Sequence, residues 1–291
     1  LSTEAVFREQ HFRGVDGTRL VSWATDGDPD QTILICNGLG GPASAWEPLF
    51  GRGHRIISWH HRGLLGSERP KDLSRITVAD HVSDAIQVLD SYRVDKALVV
   101  GWSLGVAIGL ELARQEPERV SGVVAIAGAA GGIFDSSFAP IPLGLGPTTA
   151  RVTARLTEHF GAVPNLVFGR LSHPHVMAYA MRRAGIVDMR ADNATLARVW
   201  GEFAKHDWSW YARLVTAGGE HPVPDLSTIE CPVTFIAGDH DLITAHWASI
   251  DAAARIPHAQ VDVYEATHFL PLEYPNEVVA IIEHALDNGD D

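Results

Sequence analysis

A serine held between two glycines, an aspartate far downstream and a histidine near the end of the chain are the residues best placed to do chemistry. The serine sits in Val99-Val100-Gly101-Trp102-Ser103-Leu104-Gly105-Val106-Ala107, a Gly-x-Ser-x-Gly between an apolar run and a helical pattern. In that context the motif reads as a sharp strand-to-helix turn carrying a nucleophile. Such a turn strains the serine backbone and tolerates only tiny neighbours. It also lifts the hydroxyl above the sheet and aims the first helical N–H groups, including that of Leu104, at the group under attack. A serine hydroxyl is a weak nucleophile at neutral pH and needs a base held in place by a third group. Asp241 follows Phe235-Ile236-Ala237-Gly238-Asp239-His240, just past a second apolar run, and His268 follows Tyr264-Glu265-Ala266-Thr267, past the last. The chemistry these types imply is nucleophilic acyl transfer, with Ser103 attacking, His268 taking its proton and Asp241 orienting the imidazole. Asp239 competes with Asp241, and His240 reads as a loop residue.

The elements that must position these groups are short apolar runs: Thr32–Cys36, Arg55–Trp59, Ala97–Val100, Gly122–Ile126, Pro232–Ile236 and Gln260–Tyr264. Near-continuous β-branched runs of this length suit strands buried on both faces. Helical patterns lie between them at Val78–Tyr92, Leu104–Gln115 and Asn276–Leu286, punctuated by Pro117 and Pro275. Phe7–Arg13 and Leu20–Ala24, around Asp16-Gly17, read as an edge hairpin. The alternation predicts an α/β fold: a mostly parallel central sheet with helices on both faces. It breaks from about Phe134 to Leu226, where a Pro/Gly-rich segment from Ala139 to Pro147 precedes helical patterns holding Trp200, Phe203, Trp208, Trp210 and Tyr211. The expected organisation is therefore a core over 1–133 and 227–291 with a helical cap inserted over 134–226. The Pro/Gly segment suits either a mobile mouth or a rigid connector.

Of 291 residues 46% are hydrophobic, and 23 Lys and Arg against 36 Asp and Glu give a formal net charge of −13. That composition supports a sizeable core and argues against disorder. The anionic balance argues against nucleic acid and acidic membranes, both of which require clustered cations. The uncharged stretch from Val120 to Phe134 is glycine-rich and shorter than the roughly 18 apolar residues a spanning helix needs. Leu1-Ser2-Thr3-Glu4 has neither the basic nor the apolar region of a signal peptide. Leu1 in place of Met is compatible with an upstream segment having been removed, and a cytoplasmic protein is the expectation. Asp287, Asp290 and Asp291 make an acidic, solvated end. Cys36 and Cys231 each adjoin an apolar run and read as small buried hydrophobes rather than a disulfide. Neither His60 with His61 nor His173 with His175 and His206 forms a recognisable ligand set. No metal or cofactor is expected. The partner is a small-molecule substrate, and a monomer or a homodimer are both ordinary.

Together these residues resemble the α/β-hydrolase fold family over nearly the whole chain outside the insertion. The family's nucleophile elbow matches Gly101-Trp102-Ser103-Leu104-Gly105, and its Gly-x-x-Asp acid loop matches Gly238-Asp239-His240-Asp241. Its terminal histidine matches His268, with a Glu-x-Pro-like stretch at Glu273-Tyr274-Pro275. The order Ser103, Asp241, His268 is the family's order. That spacing favours Asp241 over Asp239, while members that place the acid one strand earlier would use Asp135. Two departures stand out. Asn37-Gly38-Leu39-Gly40-Gly41 replaces the histidine of the family's His-Gly oxyanion loop, leaving the backbone N–H of Leu39 as the expected donor beside that of Leu104. His60-His61-Arg62-Gly63-Leu64-Leu65-Gly66-Ser67 has His60 where the family has aspartate, in a loop expected to be structural. The resemblance implies a serine hydrolase acting on a carboxylic ester of a small, largely apolar substrate. Carbon–carbon bond hydrolysis of ring-cleavage products is the chief enzymatic alternative, ahead of thioester, lactone or perhydrolase chemistry. A ligand-binding or sensing protein on the same scaffold is the non-enzymatic one. Gly38, Trp102, Trp208, Trp210 and Phe269 are the expected pocket residues, with Trp102 and Leu104 bordering the acyl group.

Overall fold

The computed structural model describes residues 7–138, 144–167 and 173–288, so most of the Pro/Gly segment and both chain ends lie outside the described residues. Among the described residues eight strands form one sheet: β1 (Phe7–Arg13), β2 (Arg19–Thr25), β3 (Asp28–Cys36), β4 (His54–Trp59), β5 (Ala97–Trp102), β6 (Val120–Ile126), β7 (Val233–Gly238) and β8 (Gln260–Tyr264). Their order is β1-β2-β4-β3-β5-β6-β7-β8. The hairpin of β1 and β2 is antiparallel, with Phe12 opposite Leu20, and β2 meets β4 antiparallel; the remaining pairs are parallel.

The central strands alternate their side chains between two buried faces, as the pleat requires. Leu34, Val99, Val123 and Phe235 pack on one face with Val82, Ala85 and Leu89 of α1 (Val78–Ser91) and Val106 and Leu110 of α2 (Leu104–Gln115). Ile33, Ile35, Leu98 and Val100 point the other way. They meet Trp46 and Leu49 of a 3-10 segment (Ala43–Leu49) and Val278 and Ile282 of the C-terminal helix (Pro275–Asn288). A capping box between Thr77 and Asp80 starts α1.

The expectation that all six apolar runs are doubly buried fails at β8. Gln260, Asp262 and Val263 are exposed, because β8 is the sheet edge and pairs only with β7. A short helix over His246–Ala253, absent from the sequence reading, follows β7.

Between β6 and β7 the chain runs through α3 (Ile133–Ser136), α4 (Gly146–Phe160), α5 (Ala162–Leu166), α6 (Pro174–Arg183), α7 (Asn193–Phe203) and α8 (Trp208–Gly219). The later helices are then α9 (His246–Ala253), α10 (Leu270–Glu273) and α11 (Pro275–Asn288). In the cap, α4 packs on α8 and α6 on α7. Polar contacts fasten the junction of α7 and α8 to the sheet half of the molecule. Trp210 Nε1 donates to the Arg62 carbonyl at 2.8 Å, Ser44 Oγ donates to Glu202 at 2.7 Å, and Arg69 pairs with Asp207 at 2.7 Å. Among the described residues no helix is long and apolar enough to cross a membrane.

Candidate active site

Ser103 sits at the junction of β5 and α2 with φ 56° and ψ −120°, a conformation that costs a non-glycine residue about 1–3 kcal/mol. The flanking glycines show what enforces it. A Cβ on Gly105 would lie 1.7 Å from the Cys36 carbonyl oxygen, and one on Gly101 would lie 2.5 Å from the Gly105 oxygen. The Ser103 N–H is tied to the Ile126 carbonyl at 2.9 Å, so β6 helps to hold the bend.

Asp241, in the loop after β7, is buried. Its Oδ1 accepts from the Ile243 and Thr244 N–H groups at 2.7 and 2.8 Å, and its Oδ2 lies 2.7 Å from His268 Nδ1. A carboxylate can only accept, so Nδ1 carries the proton and Nε2 keeps a lone pair. Nε2 lies 2.9 Å from Ser103 Oγ, whose hydroxyl donates to it. His268 is fixed from behind as well. Trp102 Nε1 donates to its carbonyl at 3.0 Å, while buried Glu273 accepts from the Thr267 N–H at 2.8 Å and from the Thr267 hydroxyl at 2.5 Å. The competing acids lie elsewhere: Asp239 pairs with His240, and Asp135 with Arg151. Among the described residues, the N–H groups of Leu39 and Leu104 have no acceptor within the protein. The arrangement joins a half-buried hydroxyl to an imidazole with a fixed tautomer, beside two free backbone donors. It can make the hydroxyl a nucleophile and can hold negative charge on an oxygen.

Two cavities meet at Ser103. One, of about 350 Å³, runs under α4 and α8 and is lined by Leu104, Phe134, Ala150, Ala154 and Val215. The other, of about 280 Å³, is lined by Trp102, Val199, Trp200, Phe203, His268 and Phe269. Leu39, Ser103, Trp208, Tyr211 and Ile243 border both. Burial pushes the Tyr211 hydroxyl far above the ordinary phenol range, so it stays neutral. No Lys, Arg, Asp or Glu lines either cavity among the described residues.

Of the pocket residues expected from sequence, Gly38, Trp102, Trp208 and Phe269 line the second cavity, and Trp102 and Leu104 fall on opposite sides of Ser103. Trp210 lines neither. It is buried against the sheet half, bonded to Arg62 and covered by the Arg69 guanidinium at 4.6 Å. The helical period separates the two fates. On α8 the lining residues Trp208, Tyr211, Ala212, Val215, Gly218 and Gly219 share one face, and Trp210 lies on the opposite one. The same spacing picks out Ala150, Thr153, Ala154 and Thr157 on α4, and Leu196, Val199, Trp200 and Phe203 on α7. The sequence reading passed over the α4 set, although a stripe of small residues at that period is visible in it. Among the described residues no three His, Cys, Asp or Glu side chains group as metal ligands. His206 instead lies 2.8 Å from the Gly40 carbonyl, to which its Nε2–H must donate, and stacks on Tyr211.

Residues 31–275 match the sequence profile of the alpha/beta hydrolase fold. The chain belongs to that family. A Variovorax paradoxus protein, RutD, whose name assigns it provisionally to carbamate hydrolysis, is 36% identical over 100 residues, which is 33% of this chain and 37% of that one. Matches to the first relatives of this kind thus span little more than a third of their length. Among solved structures, the enol-lactonase from Burkholderia xenovorans superposes with a TM-score of 0.73 at 24% identity, over 96% of this chain and 100% of that one. An esterase from Exiguobacterium antarcticum gives a TM-score of 0.77 at 15% identity, over 96% and 99%. At these identities the likeness is one of fold.

The two departures from the hydrolase pattern lie in loops held by hydrogen bonds, through the side chain at Asn37 and through the backbone at His60. Asn37 donates through Nδ2 to the Gly41 carbonyl at 2.7 Å and accepts from Trp46 Nε1 at 3.2 Å, so its side chain braces the loop that carries Leu39. His60 gives its carbonyl to Ser67 Oγ at 2.7 Å. The loop's charge anchor is the neighbouring Arg62, fully buried and paired with Asp84 through two 2.7 Å bonds and with Asp16 at 2.6 Å. Those bonds to Asp84 and Asp16 hold the Arg62 guanidinium above its ordinary range against the opposing effect of desolvation.

Proposed function

We propose that the protein is a serine hydrolase that cleaves a neutral, largely apolar carboxylic ester through an acyl-enzyme. The observation that carries this reading is the chain Asp241–His268–Ser103, closed at 2.7 and 2.9 Å where two cavities meet whose described lining holds no Lys, Arg, Asp or Glu. Ser103 Oγ attacks the carbonyl carbon as its proton passes to His268 Nε2, and Asp241 stabilises the imidazolium. The N–H groups of Leu39 and Leu104 receive the developing oxyanion, each contributing about 3 kcal/mol in a water-poor site. His268 then returns the proton to the leaving alcohol oxygen. A water molecule, deprotonated by His268, releases the acid and restores Ser103.

The cavity lining argues against carbon–carbon bond hydrolysis of ring-cleavage products. A ring-cleavage product acid would bring a carboxylate into cavities where no Lys or Arg stands among the described residues, and burying an unpaired charge is costly. Lactones and thioesters share the first step and stay within the same mechanism. Ser103→Ala is expected to lower hydrolysis of p-nitrophenyl butyrate by about a thousandfold or more while circular dichroism is unchanged. A fluorophosphonate is expected to add one adduct, mapped by mass spectrometry to Ser103. Undiminished turnover by the alanine variant would refute the assignment, and a folded wild type that takes no adduct would favour a binding protein.

A further inference from the structure

The two cavities are not equivalent. His268 borders only the smaller one, and Leu104 borders only the larger. That asymmetry fixes the sense in which an ester must lie, if the site works as proposed above. In the tetrahedral intermediate the former carbonyl carbon bears four groups: Ser103 Oγ, the oxyanion, the leaving oxygen and the acyl chain. The oxyanion faces the Leu39 and Leu104 N–H groups. The leaving oxygen must face His268 Nε2, because it takes its proton there. The acyl chain occupies the remaining direction, away from the imidazole.

From this we infer that the larger cavity under α4 and α8 takes the acyl chain and the smaller one takes the leaving alcohol. The linings then state the chemical class of each half. Leaving aside the residues that border both, the acyl cavity has Phe134 and Phe138 in its wall, and the rest, which includes Ala150, Ala154, Val215 and the α8 glycines Gly218 and Gly219, is a mainly small and aliphatic surface suited to a flexible alkyl chain. Around the alcohol cavity stand four aromatic residues that the acyl cavity lacks, Trp102, Trp200, Phe203 and Phe269, beside the shared Trp208 and Tyr211. Phe203 meets Trp208 edge-on at 5.6 Å and Tyr211 edge-on at 5.2 Å. Rings so arranged favour another aromatic ring among them. The substrate class is an aryl or arylalkyl ester of an unbranched aliphatic acid. Ala154 on α4 and Val199 on α7, both buried, are the specificity-determining positions, because an enlarged side chain at either fills one cavity and leaves the other open.

The test compares two esters that load opposite cavities, methyl octanoate and 1-naphthyl acetate, with methyl acetate as the reference that fills neither. Ala154→Leu is expected to lower kcat/KM for methyl octanoate by about tenfold or more, leaving 1-naphthyl acetate within about twofold. Val199→Phe is expected to do the reverse. An unchanged circular dichroism spectrum and unfolding midpoint certify that each variant is folded, and Ala150→Leu and Leu196→Phe serve as second variants should either fail that check. The crossed result, in which Ala154→Leu impairs the naphthyl ester and spares the octanoate, would overturn the assignment, as would an equal loss on both. Failure of the hydrolase reading itself looks different: the wild type then cleaves none of the three esters and takes no adduct at Ser103.

Discussion

At the scale of single residues, Asp241 is over-determined in a way that makes its replacement informative. Its Oδ1 is claimed by the Ile243 and Thr244 N–H groups, which leaves only Oδ2 for His268. In Asp241→Asn those two donors will hold the amide oxygen on the Oδ1 side and turn the amide NH2 toward His268 Nδ1. The ring must then accept at Nδ1 and carry its proton on Nε2, the tautomer that cannot take a proton from Ser103. The expected outcome is a fall in kcat of about 10⁴ with KM little changed and the fold intact, read by steady-state kinetics on p-nitrophenyl butyrate. A loss under tenfold would show that the tautomer is not controlled from Asp241. The three polar residues were legible in sequence because a strand, a turn and a chain order constrain each of them. Trp210 was not. A tryptophan in an amphipathic helix looks the same whether it faces a cavity or the core, until the period of its neighbours Trp208 and Tyr211 is followed.

At the scale of elements, the sheet was readable because the central runs are apolar on both faces. The same criterion misled at β8, since β-branched residues also favour an exposed edge strand and only Gln260 and Asp262 betray it. The helix over His246–Ala253 escaped because it is short and marked by no cap residue at Ala245. What the sequence could not supply was how the cap helices are fastened, which depends on contacts between residues more than a hundred positions apart. Trp210 is the clearest of these, closing onto Arg62 across 148 positions. Trp210→Phe keeps one aromatic ring but removes the donor and the pyrrole half of the indole, leaving the buried Arg62 carbonyl without that bond and a small void beside it. We expect a loss of about 1–2 kcal/mol in denaturant unfolding, together with faster limited proteolysis between β6 and β7. Unaltered stability and an unaltered cleavage pattern would show that the cap is held elsewhere.

At the scale of the whole molecule, stability should be tied to pH through histidines that the site does not use. His61 is 2% exposed, its ring lies edge-on to that of His81 at 4.9 Å, and its Nε2 meets no hydrogen-bond partner among the described residues. Burial, reinforced by the neighbouring His81, His60 and His206, pushes it well below the ordinary imidazole range, and burial also lowers His206. Both are therefore neutral in the fold and protonate more readily once the chain unfolds. The unfolded state binds more protons below about pH 6.5, so stability is fully present above that value and drains away as pH falls toward the folded pKa. The displaced carboxylates, Glu9 and Asp16 among them, lie below ordinary carboxylate values and act only at lower pH, which leaves this window to the histidines. A second effect runs the other way. Partial neutralisation of the net charge of −13 on acidification relieves self-repulsion across the surface. Comparing the wild type with His61→Leu cancels that shared contribution. Between about pH 7 and about pH 5.5 the unfolding free energy of the wild type is expected to fall relative to the variant, with a slope approaching about 1.4 kcal/mol per pH unit. Any packing lost in the variant adds only a constant offset. A difference between the two proteins that does not change with pH would mean that His61 takes up its proton as easily folded as unfolded.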